Sequence, residues 1–282
     1  MKIDKAARAI LQSALSEDIG SGDVTSLIIP SRLNAKADFL FKEEGILCGV
    51  RVVEEIFRLL DEDLRFLPAA KDGESIDKGR VIGYVEGKCR SILAGERVAV
   101  NFLSHLSGVA TLTAKFVAAV KGTSAKIYDT RKTTPLLRAF ERYAVTCGGG
   151  VNHRNGLYDG VLIKDNHLSV LKDLHIKKIY ESAKAAVTKR IPIGIEVKNP
   201  AEARAALGFD FQYILLDHFT LDQVRETVKI KKELEARPQL EVSGNVTLET
   251  VRGYAECGIE RISIGALTHS ADALDISLDL IT

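Results

Sequence analysis

Six short runs rich in aliphatic and β-branched residues constrain this chain more than any other feature. They are AKIYD (125–129), GVLIK (160–164), PIGIEV (192–197), YILLD (213–217), LEVS (240–243) and RISIG (261–265). Segments with helical spacing lie between most of them, at 135–146, 168–189, 200–207, 221–236 and 248–257. Strands that read as continuous apolar runs and alternate with helices predict a parallel sheet covered by helices. Such a sheet either curls toward a barrel or opens into a doubly wound fold. The residues that end the runs choose between them. Arg131 and Lys132 follow the first, Lys164 ends the second, Glu196 the third and Asp217 the fourth. Ser243-Gly244-Asn245 follow the fifth and Gly265-Ala266 the sixth. In a barrel all six ends ring one mouth, where active sites sit. An open sheet gathers only the ends at its switch point. Functional-looking residues at every end favour the barrel, and no GxGxxG follows a strand to support a dinucleotide fold.

The first 120 residues have a different rhythm. Apolar residues at helical spacing run from Ile3 to Ser16, and a loop with two glycines, EDIGSGDVTS (17–26), ends them. That loop lacks the ligand spacing of a calcium site and reads as structural. ADFLFKEEGILCGV predicts a hairpin, 50–60 a helix, and KDGESIDKGRVIGYVEG a run of turns around short strands. A long helical pattern follows to about residue 120, with Gly108 as its expected break. The expected organisation is an N-terminal α+β domain over 1–120 and an α/β barrel over 121–270. A tail, 271–282, is expected to pack back on the first domain.

Bulk properties exclude several classes. A formal charge of +1 over 282 residues argues against a general nucleic-acid surface. The cysteines, Cys48, Cys89, Cys147 and Cys257, form neither a CxxC pair nor a Cys/His zinc spacing, so a disulfide framework and a zinc site are both disfavoured. Without a leader-like N-terminus or an apolar run near membrane-spanning length, the expected location is the cytoplasm, with no membrane partner.

Charge is nonetheless concentrated. Residues 126–164 hold seven Lys/Arg against three acids, a surplus of four, so the remainder carries about three net negative charges. Arg131, Lys132, His153, Arg154 and Lys164 stand at run ends and Gly-rich turns, where binding loops sit. Cations crowded at one mouth repel one another and call for an anionic ligand. SGN (243–245) and IGALTHS (264–270) offer glycines and free N–H groups ahead of helices. They read either as a phosphate site, frequent in the last two loops of barrels, or as simple turns. Glu196 and Asp217 could be an acid–base pair, an ion pair with Lys164 or Lys198, or a site for a hard cation such as Mg²⁺. Phosphate loops nearby favour the cation. Arg97 and His105 read as a surface arginine and a satisfied core histidine.

TRKTTP (130–135), CGGGVNHR (147–154) and GLYDGVLIKDNH (156–167) together resemble the signature blocks of the quinolinate phosphoribosyltransferases, and the likeness extends over nearly the whole chain. The resemblance implies an N-terminal α/β domain, an incomplete α/β barrel and a homodimer or hexamer with sites shared between subunits. It implies condensation of quinolinate with 5-phosphoribosyl-1-pyrophosphate and Mg²⁺, giving nicotinate mononucleotide, pyrophosphate and CO₂. By motif match, Thr130, Arg131, His153, Arg154 and Lys164 would surround the quinolinate carboxylates, with Arg97 supplied by a partner chain. Lys132 would face the pyrophosphate, and Glu196 and Asp217 the metal. Ser243, Gly244, Asn245, Gly265 and Ala266 would hold the 5-phosphate. The chain departs from the family at four places. Gly194 stands where an additional Glu is frequent, His218 where Asn is, and Asn245 and Leu136 where Gly is common. A paralogous group of similar fold, associated with molybdenum transport genes, tends to lack the lysine of KDNH, which is intact here at Lys164. A non-catalytic sugar-phosphate sensor is the alternative from another class.

Overall fold

A computed structural model of the chain describes residues 1–171, 175–187 and 191–281. It forms two compact units, one of 1–114, 133–149 and 267–282 and another of 115–132 and 150–266. In the first, the opening helix Lys5–Ile19 starts where the Asp4 carboxylate accepts the Ala7 N–H at 2.9 Å. Asp23 closes the following loop on itself, accepting from the backbone of Thr25 and Ser26 and from the Ser26 hydroxyl. The predicted hairpin does not form. Strand Asn34–Phe41 is flanked on both edges, by Val81–Lys88 and by the C-terminal strand Ile276–Ile281, so Gly45–Ile46 pairs instead with Ser75–Ile76. Phe39 packs edge-on against Phe57 and Phe66 in the core of this sheet.

Three further expectations are corrected here. Gly108 does not break its helix, which runs unbroken from Cys89 to Ala119. A Cβ at this position would overlap the Asp272 carbonyl oxygen, so the glycine serves close packing of the C-terminal segment. This helix is also long and apolar enough to cross a membrane by length and composition. Half of its most apolar window is buried within the protein, and Ile92, Ala99, Leu103 and Leu106 belong to the core. It is built as a core helix. The helix Arg138–Cys147 starts later than the pattern suggested. Its Glu141, fully buried, faces His105 Nε2 at 3.0 Å and accepts the Thr134 N–H at 3.1 Å.

The second unit carries the six parallel strands: β1 (Lys126–Tyr128), β2 (Val161–Ile163), β3 (Ile193–Val197), β4 (Tyr213–Asp217), β5 (Gln239–Ser243) and β6 (Arg261–Ser263). They lie side by side in the order β1-β6-β5-β4-β3-β2. That order is the cyclic sequence of a barrel opened between its first and second strands, as the strand ends predicted, and not the reversal of a doubly wound sheet. Among the described residues β1 and β2 do not pair, and Val151 continues the sheet at the open edge with one parallel bridge to Tyr128. Helices Pro200–Leu207, Leu221–Glu233 and Leu248–Glu256 connect successive strands. The single helix expected over 168–189 is two, Asp165–Val170 and Ile176–Ala186, and its positions 172–174 and 188–189 lie outside the described residues.

Three of the four departures from the family pattern share one backbone property. Leu136 (φ 68°), His218 (φ 56°) and Asn245 (φ 51°) all occupy the left-handed region. Glycine is free there, whereas other L-residues are strained by roughly 1–2 kcal/mol and Asn by less. Leu136 is also largely exposed, so packing does not repay its strain. Replacing Leu136 by Gly should therefore raise stability by about 0.5–1 kcal/mol, after the entropy that glycine adds to the unfolded chain. Equilibrium denaturation would show the gain, and a loss would remove strain from the account of this loop.

Candidate active site

Parallel register sorts the strand residues of the second unit into rows on one face of the sheet. One row runs Tyr128, Ser263, Ser243, Asp217, and the next runs Arg261, Glu241, Leu215, Glu196. Below them lie Gln239, Tyr213, Gly194 and Leu162. Side chains two apart along a strand share a face, so Glu196, Asp217 and Ser243 project together from the carboxyl ends of adjacent strands. Lys164, just past β2, reaches the same face and brings its Nζ to 3.5 Å from Glu196 Oε2. Asp217 is half-buried and takes His218 Nδ1 at 3.0 Å. His218 in turn lies over Gly244, where a Cβ would strike the imidazole. The His218 N–H donates to the Ser243 carbonyl at 2.9 Å. Gly244 (φ 99°) and Asn245 turn the chain into the helix that starts at Leu248.

The basic residues are placed by backbone turns. Thr130 Oγ1 accepts the Lys132 N–H at 3.0 Å, which curls the chain at Arg131. Asp159 accepts the N–H groups of Asn155 and Gly156 and so shapes the loop between Arg154 and Gly160. The Arg154 guanidinium donates to the Gly160 carbonyl at 2.9 Å. Burial lowers the pKa of Arg154, and the like charge of Arg131 adds to the effect, so these two cations converge. An anion between them would relieve both.

What the sequence did not single out lies underneath. Glu241 is completely buried in the middle of β5. Its Oε2 meets Arg261 Nε at 2.7 Å, its Oε1 lies 3.3 Å from His153 Nε2, and the Ser263 hydroxyl donates to Oε1. The Arg261 guanidinium is held between the rings of Tyr128 and Tyr213, 4.1 and 4.4 Å from their centroids. Gly194 makes this possible, because a Cβ there would overlap the Tyr213 ring. The place where the family often has a second Glu is thus taken here by an aromatic ring from the next strand. His153 belongs to this buried group. Its side chain is 8% exposed, its N–H donates to Asp129 Oδ1 at 2.6 Å, and its Nδ1 accepts the Arg154 N–H at 2.8 Å. Both ring nitrogens of His153 thus meet neighbours within the chain, Nε2 at Glu241 and Nδ1 at the Arg154 N–H. The available signal was the charge inside LEVS and at the head of RISIG, which reading both as apolar runs concealed.

Gly265 and Ala266 follow β6 at the same end of the sheet, and Ala266 opens the short helix Ala266–His269. Arg97 lies on the long helix of the first unit, its side chain 62% exposed and 3.8 Å from the Glu96 carboxylate. For a divalent cation, the described residues offer no cluster of three or more His, Cys, Asp or Glu ligands. Two carboxylates, Glu196 and Asp217, share one face. That suits an ion such as Mg²⁺ that completes its shell with substrate phosphates and water, and does not suit a protein-only cage.

Fold and mouth together define an incomplete α/β-barrel protein that gathers cations, a carboxylate pair and a Ser-Gly-Asn turn at its strand ends. Two family models, described as the N-terminal and C-terminal domains of quinolinate phosphoribosyl transferase, match residues 23–107 and 109–279. The chain is 39% identical over 273 residues to a probable nicotinate-nucleotide pyrophosphorylase [carboxylating] of Bacillus subtilis, covering 97% of this chain and 93% of that one. It is 40% identical to quinolinate phosphoribosyltransferase [decarboxylating] 1b of Nicotiana tabacum, covering 98% and 82%. Among solved structures, NadC from Streptococcus pyogenes superimposes with a TM-score of 0.91 at 37% identity, over 97% of this chain and 95% of that one. The chain belongs to the quinolinate phosphoribosyltransferase family.

The buried carboxylate sets an acid limit on stability. Burial alone would raise the Glu241 pKa, but the hydrogen bond from His153, the charge of Arg261 and the Ser263 hydroxyl together lower it. Its contribution is complete above the unfolded value near 4.5 and is lost as pH falls through the lower folded value. Denaturation followed from pH 7 to pH 3 should show stability falling below about pH 4.5, with a shallower fall in Glu241→Gln. Equal slopes in the two proteins would remove Glu241 as a source of acid lability.

Proposed function

We propose that the barrel mouth carries out the family's reaction with the roles set out below. The chain is a decarboxylating quinolinate phosphoribosyltransferase: it moves the phosphoribosyl group of 5-phosphoribosyl-1-pyrophosphate to quinolinate and releases nicotinate mononucleotide, pyrophosphate and CO₂. The observation that carries the assignment of roles is the common face of Lys164, Glu196, Asp217 and Ser243 at the strand ends, with Arg131 and Arg154 close enough to repel.

Arg131, Arg154 and Lys164 hold the two carboxylates of the pyridine ring. An arginine fork matches a carboxylate bidentately and lysine adds a point charge. Thr130 supplies the turn that presents Lys132 toward the leaving pyrophosphate. Ser243, Gly244, Asn245, Gly265 and Ala266 hold the 5-phosphate. Glu196 and Asp217 would hold Mg²⁺, which when bound offsets negative charge growing on the pyrophosphate. As that bond to the anomeric carbon stretches, positive charge builds on the ribose ring, and the pyridine nitrogen attacks. The resulting pyridinium stabilises the electron pair left on the ring carbon as the adjacent carboxylate departs as CO₂, and that carbon then takes up a proton from solvent. No protein nucleophile is needed. The cations also lower the repulsion between two polyanions, about 4 kcal/mol per charge pair at 4 Å in a medium of effective dielectric near 20.

Purified protein with quinolinate, phosphoribosyl pyrophosphate and Mg²⁺ should release CO₂ and form nicotinate mononucleotide, with nicotinate a poor substitute. Lys132→Ala should lower kcat by about 10²–10³-fold with the fold retained, the loss typical of removing one group that stabilises transition-state charge. Wild-type turnover in that variant would remove Lys132 from the chemistry.

Arg97 is assigned to the quinolinate pocket of a neighbouring subunit in a homo-oligomer. Its support is an exposed guanidinium on a rigid helix, together with the family match. Mixing an Arg97→Ala chain with a Lys164→Ala chain should then restore part of the activity that each lacks alone. Absence of any recovery would place the whole pocket within one subunit.

A further inference from the structure

Beneath the mouth, three groups converge on Glu241: the Ser263 hydroxyl donates to Oε1, His153 Nε2 lies 3.3 Å from the same oxygen, and the Arg261 guanidinium sets its charge 2.7 Å from Oε2. A buried cation and two hydrogen donors on one group require a partner that is negatively charged and has no hydrogen of its own, which among the side chains is an ionised carboxylate. Arg261 cannot adjust, because the rings of Tyr128 and Tyr213 clamp its guanidinium. Ser263 is fixed by its place in β6. The His153 ring comes from a loop instead, and the buried carboxylate is what orients it. At the far side of the ring, Nδ1 receives the Arg154 main-chain N–H at 2.8 Å. A nitrogen that accepts a hydrogen bond bears no proton, so the proton of this imidazole is on Nε2, facing Glu241.

We propose that Glu241 is a positioning residue for the dicarboxylate pocket: it holds His153 as the neutral, Nε2-protonated ring, and that ring fixes the backbone from which Arg154 reaches the substrate. The proposal rests on the assignment of Arg154 to quinolinate made above. The chain of contacts is continuous, from Glu241 Oε1 to His153 Nε2 at 3.3 Å, from His153 Nδ1 to the Arg154 N–H, and from the Arg154 guanidinium to the Gly160 carbonyl at 2.9 Å. Asp129, itself fully buried, anchors the same loop through the His153 N–H. An arginine tied at both its backbone and its guanidinium can meet a carboxylate with little further ordering, which favours binding. A histidine kept neutral also adds no charge to a pocket already crowded with Arg131 and Arg154.

The variant that tests this is Glu241→Gln, of equal shape. The amide has one acceptor oxygen and must turn its NH₂ toward one of the three groups. If it faces His153, the ring takes the opposite tautomer and its Nδ1–H opposes the Arg154 N–H. If it faces Arg261, a buried cation loses its partner. The expected result is a KM for quinolinate at least ten-fold higher, a KM for phosphoribosyl pyrophosphate changed less than two-fold, and kcat changed less than the quinolinate KM. Lower stability with an unchanged quinolinate KM would show a purely structural residue and overturn the proposal. Should the single variant fail to fold, Glu241→Gln combined with Arg261→Gln removes the buried charges as a pair, and the same split between the two KM values is expected. Independently, ¹⁵N imidazole spectra of the wild-type protein without substrate should show His153 protonated at Nε2 and bare at Nδ1; a proton on Nδ1 overturns the proposal. That spectrum needs no turnover. Failure of the functional reading, seen as a wild-type protein that does not convert quinolinate, is therefore a separate observation.

Discussion

An ionised carboxylate buried beyond the reach of water must be surrounded by donors or it will not stay ionised. At Glu241 the second unit meets that requirement with an arginine, a hydroxyl and an imidazole, drawn from β6 and from the loop before β2. Removing one partner of such a group typically costs about 3–5 kcal/mol, because the other charge is left buried and unpaired. Much else in this unit follows from that site. Tyr128 and Tyr213 must flank Arg261, Gly194 must lack a side chain, and the loop carrying His153 and Arg154 must approach to one fixed distance. The polar interior is a brace beneath the mouth.

Above the brace, the strand ends gather charged groups at close range. Arg131 and Arg154 repel each other, while Lys164 leans on Glu196 and His218 on Asp217. Lys164 and Glu196 offset each other's charge. Parallel strands supply the common direction, and the register supplies the common face. No single loop could hold so many like charges together, since their repulsion would open it.

The left-handed positions connect this site to the chain's departures from its family. Leu136, His218 and Asn245 stand where relatives favour glycine or asparagine, and each has positive φ. A left-handed backbone is what glycine and asparagine adopt most readily. At His218 the strained residue gains a contact with Asp217 and packs over Gly244. Asn245 belongs to the residue type that tolerates this conformation best after glycine. Leu136 shows no comparable return.

How much of this was legible follows from what each signal encodes. Apolar runs spaced by helical segments determined the six strands, their parallel direction and the barrel order, because burial of both faces demands that pattern whatever the neighbours are. The three motif blocks determined the family and the cations at the mouth. Other features needed partners that a sequence does not name. Strand Asn34–Phe41 was read into a hairpin because its second neighbour comes from the far end of the chain, at Ile276–Ile281. Gly108 looked like a helix break until Asp272 was seen to press on it. Glu241 and Arg261 passed as members of apolar strands, since a buried charge is recognised only by what surrounds it. The contact of His153 with Glu241 was hidden as well, since a histidine in a basic loop has the same letters whether or not its ring meets a carboxylate 88 positions away. Composition and periodicity follow from local burial, so the sequence determined the elements and their order. Pairing of buried charges depends on distance in space, and only the tertiary structure decided it.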